Sequence, residues 1–196
     1  MTVHPIEAES YRILAGRVDL SAFGPGAAAV VARVIHASAD VEYAATMVVD
    51  EAAVAAGVAA LGAGAPVVTD VEMVAAGIPG IRTACYLADA VTDPAAGLTR
   101  SAAGMRAAAT RHPDGAVFVV GCAPTALTEL VRLWAGGHLR PALVVGLPVG
   151  FVGAAEAKAA LRAAALPSIS NVGEKGGSAV AAAAVNALAR LAGSPA

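Results

Sequence analysis

From about residue 66 onward the chain alternates short runs rich in Val, Ile and Leu with longer segments whose apolar positions recur at helical spacing. The runs at 66–69, 82–87, 116–120, 142–147 and 168–170 read as strands. Between them Leu127, Leu130, Val131 and Trp134 fall at i, i+3, i+4 and i+7, and Val180, Ala184, Leu188 and Leu191 form a second stripe. Both segments are expected to be helices facing a core, with Trp134 and Met73 as packing residues. Strand–helix alternation of this kind implies an α/β sandwich, a mostly parallel sheet flanked by helices. No repeat, linker or charge run divides residues 1–196, so one domain is expected, with a frayed end at 193–196.

An earlier helix is expected to start near Gly26 and to carry Ala27, Val30, Val31, Val34 and Ile35 on one face. At 100° per residue His36 falls nearly opposite the middle of that stripe, with Arg33 and Asp40 one turn to either side. It is therefore not a core histidine; spacing alone fits either a solvated face or a proton-transfer site. Near the other end, Gly173-Glu174-Lys175-Gly176-Gly177-Ser178 is a glycine-rich turn opening a helix. Such a backbone suits an anion, although the same glycines could serve only a tight turn. It is not a P-loop, because the lysine precedes the paired glycines. A proton donor and an anion cradle together suggest an enzyme.

Composition narrows the setting. Of 196 residues, 58% are hydrophobic and only 14% charged, largely because alanine is abundant. The longest uncharged stretch, 52–69, is mostly Ala, Val and Gly and contains Pro66, which is not the profile of a spanning helix. No membrane segment is expected. His4, Glu7, Glu9 and Arg12 do not resemble a signal peptide, so a cytoplasmic location is expected. A net charge of -2 argues against a nucleic-acid partner. A surface with few charges suggests an oligomer. Cys85 and Cys122 form no CxxC pair and have no histidine at ligand spacing, so two reduced, mostly buried thiols and no metal site are expected.

Several motifs carry a family resemblance in a consistent order. They are His4-Pro5-Ile6-Glu7-Ala8-Glu9-Ser10-Tyr11-Arg12, Arg33-Val34-Ile35-His36-Ala37-Ser38-Ala39-Asp40 and Thr99-Arg100-Ser101-Ala102-Ala103-Gly104-Met105-Arg106. Gly121-Cys122-Ala123-Pro124-Thr125-Ala126-Leu127, Pro148-Val149-Gly150-Phe151-Val152-Gly153-Ala154-Ala155-Glu156 and Gly176-Gly177-Ser178 follow. Together they span nearly the whole chain and resemble the precorrin isomerases, or precorrin-8X methylmutases, of cobalamin biosynthesis. The resemblance implies an α/β sandwich, a homodimer, and migration of a methyl group from carbon 11 to carbon 12 of precorrin-8X to give hydrogenobyrinic acid. It implies no separate cofactor; cobalt would enter only as part of the substrate, with cobyrinic acid as the product.

By the same resemblance His36 matches the catalytic histidine, a general acid of a kind worth about 10²–10⁴-fold in rate. Ser10, Thr69, Glu72 and Arg100 match other active-site positions. Ser10 and Thr69 would donate hydrogen bonds to the ring periphery, Arg100 would clamp a carboxylate, and Glu72 would favour a protonated His36 if the two meet. The substrate carries many carboxylates and the chain is slightly acidic, so recognition is expected to be local, through Arg100, Lys175 and the backbone around Gly176 and Gly177. Two positions depart from the family pattern: Cys122 stands where asparagine is common, and Glu174 where a basic residue is common. The alternatives are a corrinoid-binding protein without turnover, and an unrelated α/β enzyme acting on a phosphorylated ligand, against which the missing GxGxxG and Walker patterns speak.

Overall fold

The computed structural model describes residues 4–92 and 97–193. Helix α1 (Pro5–Ala15) leads into α2 (Pro25–Ser38), a short α3 (Tyr43–Thr46) and strand β1 (Met47–Val48). There follow α4 (Glu51–Gly62), β2 (Val67–Thr69), α5 (Glu72–Ala76), β3 (Thr83–Cys85), α6 (Arg100–Arg111), β4 (Val117–Val120) and α7 (Pro124–Ala135). The chain closes with β5 (Leu143–Gly146), α8 (Ala154–Ala163), β6 (Ser168–Asn171) and α9 (Ser178–Leu191).

The six strands form one sheet in the order β1-β6-β5-β4-β2-β3. Every neighbouring pair is parallel except β1 with β6. The five predicted strands are all present, each trimmed or shifted by a residue or two. The sequence pattern missed β1, which is two residues long and pairs antiparallel at the edge.

Alternation along the strands separates two cores. Val67, Val117, Val119, Leu143, Val145 and Ile169 face α2, α4, α5 and α9, while Val68, Phe118, Val120 and Val144 face α6, α7 and α8. A sheet buried on both faces needs continuous apolar strands, which is why β4 and β5 contain no polar side chain. Alanine serves the helices: α9 buries nine residues, six of them alanine, and lies closely along α2. Trp134 packs at the edge of the second core and donates its indole N–H to the Ala164 carbonyl at 3.1 Å.

Three expectations need correction. Met73 is 73% exposed at the start of α5 and does not pack in the core. The thiols are not both mostly buried: Cys85 is half-buried and Cys122 is exposed in the turn between β4 and α7. Leu191 ends its stripe 45% exposed, as the last residue of α9. Of the expected frayed end, 194–196 lie outside the described residues, and Gly193 is a left-handed turn residue with φ 76°. Among the described residues no helix is long and apolar enough to cross a membrane.

Candidate active site

Helix α2 begins with Pro25 in its first turn, where a missing N–H costs nothing, and runs to Ser38. Its buried face is Ala27, Val30, Val31, Val34 and Ile35, as the spacing predicts, and His36 projects beside it, half-buried. Helix α1 covers that histidine. Ser10 Oγ lies 2.8 Å from His36 Nδ1, and the Tyr11 ring stacks on the imidazole at 4.9 Å between centroids and 10° between planes. A serine hydroxyl both donates and accepts, so this bond survives either protonation state of the ring. Ser10 therefore orients His36 and is not simply a donor waiting for substrate.

A carboxylate beside this pair is that of Glu7. Glu7 Oε1 accepts from Arg190 at 2.7 Å and from Arg33 at 3.0 Å, tying α1 to α9 and α2. The Arg190 hydrogen bond holds the Glu7 carboxyl below its ordinary value of 4.5 against an opposing burial penalty; the charges of Arg190 and Arg33 and the nearby His36 act in the same lowering direction. A depressed folded-state value means that this stabilisation is complete above the ordinary value and disappears as pH falls through the lower one. Helix α1 buries only Leu14, so these polar bonds supply much of its attachment. Glu7→Gln is expected to loosen α1 at neutral pH by about 1–2 kcal/mol and to mimic acidification. Loss of the Tyr11–His36 stack, read from the His36 ring resonances, checks this; an unchanged stack would refute it.

The glycine turn reaches the same place from the end of β6. Ser38 Oγ bonds back to the Val34 carbonyl at 2.9 Å, and Ala39 turns left-handed with φ 54°, bringing Asp40 round. Lys175 Nζ meets Asp40 Oδ2 at 2.6 Å and Glu42 Oε2 at 2.8 Å. Two carboxylates thus occupy the lysine expected to bind an anion, and they raise its pKa. The Gly177 N–H is also committed, donating to the Leu147 carbonyl at 2.8 Å. Glu174 is exposed, and its carbonyl accepts the Gly150 N–H at 3.1 Å. The turn is thus pinned on both sides.

A second group lies at the carboxyl ends of β2 and β3. Thr69 pairs in register with Cys85, and its Oγ1 is buried without a hydrogen-bond partner among the described residues. Burial pushes the Cys85 thiol up, as does the nearby Glu72 carboxylate, while the Leu87 N–H and Thr69 pull it down. Arg100 opens α6 and donates Nε–H to the Leu87 carbonyl at 3.1 Å. The first turns of α9 pack on the end of β4, where a side-chain carbon added to Gly121 would lie 3.0 Å from Ser178 Cα and 2.9 Å from Ala181 Cβ. Among the described residues no hydrogen bond or ion pair joins Glu72 to His36.

Sequence reasoning missed Tyr11, Glu7, Asp70 and Lys158. Asp70, directly after Thr69, accepts from the Gly121, Cys122 and Ala123 N–H groups at 3.0, 2.8 and 2.8 Å. It caps α7, whose own N-cap residue is alanine. Burial nevertheless raises the Asp70 carboxyl above its ordinary value, with those three bonds opposing. An aspartate placed directly after the strand run at 66–69 was the available signal.

His36 and Ser10 border a cavity of about 110 Å³. A wider groove of about 640 Å³ lies at the opposite end of β2 and β3 and contains none of these residues, so size does not locate the chemistry. Ligands of open parallel sheets bind off the carboxyl ends of the strands, and both groups lie there.

A polar cluster so placed, with an oriented imidazole in it, defines an α/β enzyme of the open parallel-sheet class. More narrowly, the chain belongs to the precorrin-8X methylmutase family, whose sequence model matches residues 5–191. It is an isomerase, of the kind that moves a methyl group within one molecule. It is 41% identical over 206 residues to the cobalt-precorrin-8 methylmutase of Priestia megaterium, covering 99% of this chain and 91% of that protein. It is 40% identical over 195 residues to the precorrin-8X methylmutase of Pseudomonas aeruginosa, covering 94% and 93%. The crystal structure of precorrin-8X methylmutase from Thermus thermophilus superposes with a TM-score of 0.85 at 41% identity, over 95% of each chain.

Proposed function

We propose that this enzyme moves the methyl group from carbon 11 to carbon 12 of precorrin-8X, or of its cobalt form, with His36 as the general acid. The observation that carries the reading is the Ser10 Oγ to His36 Nδ1 bond of 2.8 Å. It occupies one ring nitrogen in both protonation states and leaves Nε2 to exchange a proton with the macrocycle. The Tyr11 stack fixes the ring plane. The enzyme then binds one tautomer and supplies a proton where it favours the shift; the methyl group leaves and rejoins the same molecule, so no group donor enters. Any cobalt belongs to the substrate.

Thr69 supports the reading, because its buried hydroxyl has only the Cys85 thiol, a weak hydrogen-bonding group, beside it, and a polar group of a ligand would satisfy it better. Arg100 is the residue placed to take a peripheral carboxylate, its Nε fixed and its guanidinium exposed. Incubating the purified protein with precorrin-8X and with cobalt-precorrin-8, and following the visible spectrum, tests the function and separates the two substrates. Absence of methyl transfer with both would overturn it.

A homodimer located in the cytoplasm completes the proposal. The cavity at His36, about 110 Å³, is far smaller than the roughly 300–1,000 Å³ that encloses a drug-sized ligand, so a tetrapyrrole here needs another surface to cover it. Beside the glycine turn, Val149, Phe151 and Val152 are 47%, 92% and 88% exposed, an apolar loop suited to such a boundary. Light scattering at micromolar concentration is expected to give twice the chain mass; a monomer would refute the dimer.

Glu174 opposes anion binding at this edge, where Asp40 and Glu42 already neutralise Lys175. Glu174→Arg is expected to tighten binding of the corrinoid acid several-fold at low salt, less at high salt, with little change in kcat. Unchanged affinity at low salt would mean that the turn does not meet the ligand.

A further inference from the structure

Lys158 lies on α8 with no exposed surface. Burying an ammonium is costly, and its neighbours Ala154, Ala157 and Leu161 are all buried, so an apolar side chain would pack there at less expense. The lysine instead donates twice, to Asn171 Oδ1 at 3.0 Å and to the Lys175 carbonyl at 2.6 Å. Asn171, also fully buried, donates Nδ2–H to the same carbonyl at 2.9 Å. One turn along α8, Arg162 fixes the Asn171 carbonyl at 2.9 Å. Lys175 is therefore anchored at its backbone by α8 and β6 while its ammonium reaches across to Asp40, four residues beyond His36. The next residue, Gly176, is pressed against the Leu147 and Pro148 carbonyls.

The charges around Lys158 agree with a tether that remains ionised. Burial lowers its pKa to about 8; the Arg162 cation acts in the same direction and the Glu174 carboxylate of the turn opposes both.

We infer that Lys158 is a positioning residue for substrate: through the Lys175 carbonyl it holds the turn at residues 173–177 in the shape that meets the corrinoid. This rests on the proposed placement of the corrinoid at that turn. A residue acting only on the turn changes affinity and leaves the methyl shift alone, since peripheral contacts hold ground and transition states equally. Lys158→Met keeps the side-chain length, removes a desolvated charge and leaves Asn171 to hold the carbonyl, but the buried Asn171 Oδ1 loses its donor, so a modest fall in Tm is expected.

The test compares wild type, Lys158→Met and Lys158→Arg, full-length, by Tm, by kcat and KM with precorrin-8X, and by titration with hydrogenobyrinic acid. Lys158→Met is expected to raise KM and product Kd about tenfold with kcat within about twofold, while Lys158→Arg, which keeps charge and donors, recovers most of the loss. An unchanged KM in a folded Met variant, or a fall in kcat with KM unchanged, overturns the inference. Should the Met variant not fold, Asn171→Ala removes the second donor to the same carbonyl and carries the test; unchanged KM there overturns it equally. A wild type that neither binds nor converts a corrinoid instead overturns the proposed function, before any variant is compared.

Discussion

Replacing His36 with alanine is expected to lower kcat at least about 10²-fold while leaving a folded protein that still binds the corrinoid acid. The expectation follows from where the residue sits. The packing face of α2 is filled by Val30, Val31, Val34 and Ile35, all at most 3% exposed, and His36 lies outside it. What the substitution removes is one hydrogen bond to Ser10 and one stack with Tyr11. Together these are worth about 1–2 kcal/mol, a tolerable loss for a domain of this size. Binding should persist because Thr69, Arg100 and the glycine turn come from other elements. Product-forming rate, Tm and a corrinoid titration on one preparation decide the matter. Activity within a few-fold of wild type would remove His36 from the chemistry; a variant that fails to fold would make it a structural residue.

The sheet was legible in the sequence because its strands are buried on both faces and therefore read as unbroken apolar runs, as in Val117 to Val120 and Leu143 to Gly146. The edge strand β1 was not, since two residues with one face exposed carry no periodicity. The position of His36 followed from helical geometry, but its partners did not. Ser10 and Tyr11 lie 26 and 25 residues earlier, on a helix whose only buried side chain is Leu14, so no stripe announced that α1 packs there. The same limit left the carboxylate open. Glu72 and Glu7 both match the chemistry, and only the fold puts Glu7 beside the imidazole and Glu72 beside Cys85. Lys175 shows the converse: its type suited an anion site, yet Asp40, 135 positions away, had already claimed it.

Those contacts make the glycine turn a joint rather than an open cradle, and Gly176 is its tightest point. A side-chain carbon at residue 176 would meet the Leu147 and Pro148 carbonyl oxygens, and would approach Pro148 C at 2.7 Å. These are backbone atoms at the carboxyl end of β5, so they cannot rotate away as a side-chain tip would. Gly177 adds a constraint of its own, with φ 131°, a conformation that L side chains rarely adopt. Gly176→Ala is therefore expected to displace the turn from the Leu147–Pro148 segment, breaking the Gly177 N–H bond to Leu147 and loosening the Lys175 link to Asp40. Its effect should be larger than that of Lys158→Met, because the clash acts on the backbone directly and not through one carbonyl. Corrinoid affinity is expected to fall by at least about tenfold, with a stability loss of about 1–3 kcal/mol. Titration with hydrogenobyrinic acid and thermal unfolding measure the two effects separately. Wild-type affinity with wild-type Tm would mean that the segment tolerates a methyl group here, and that the close approach of Gly176 is not what shapes the site.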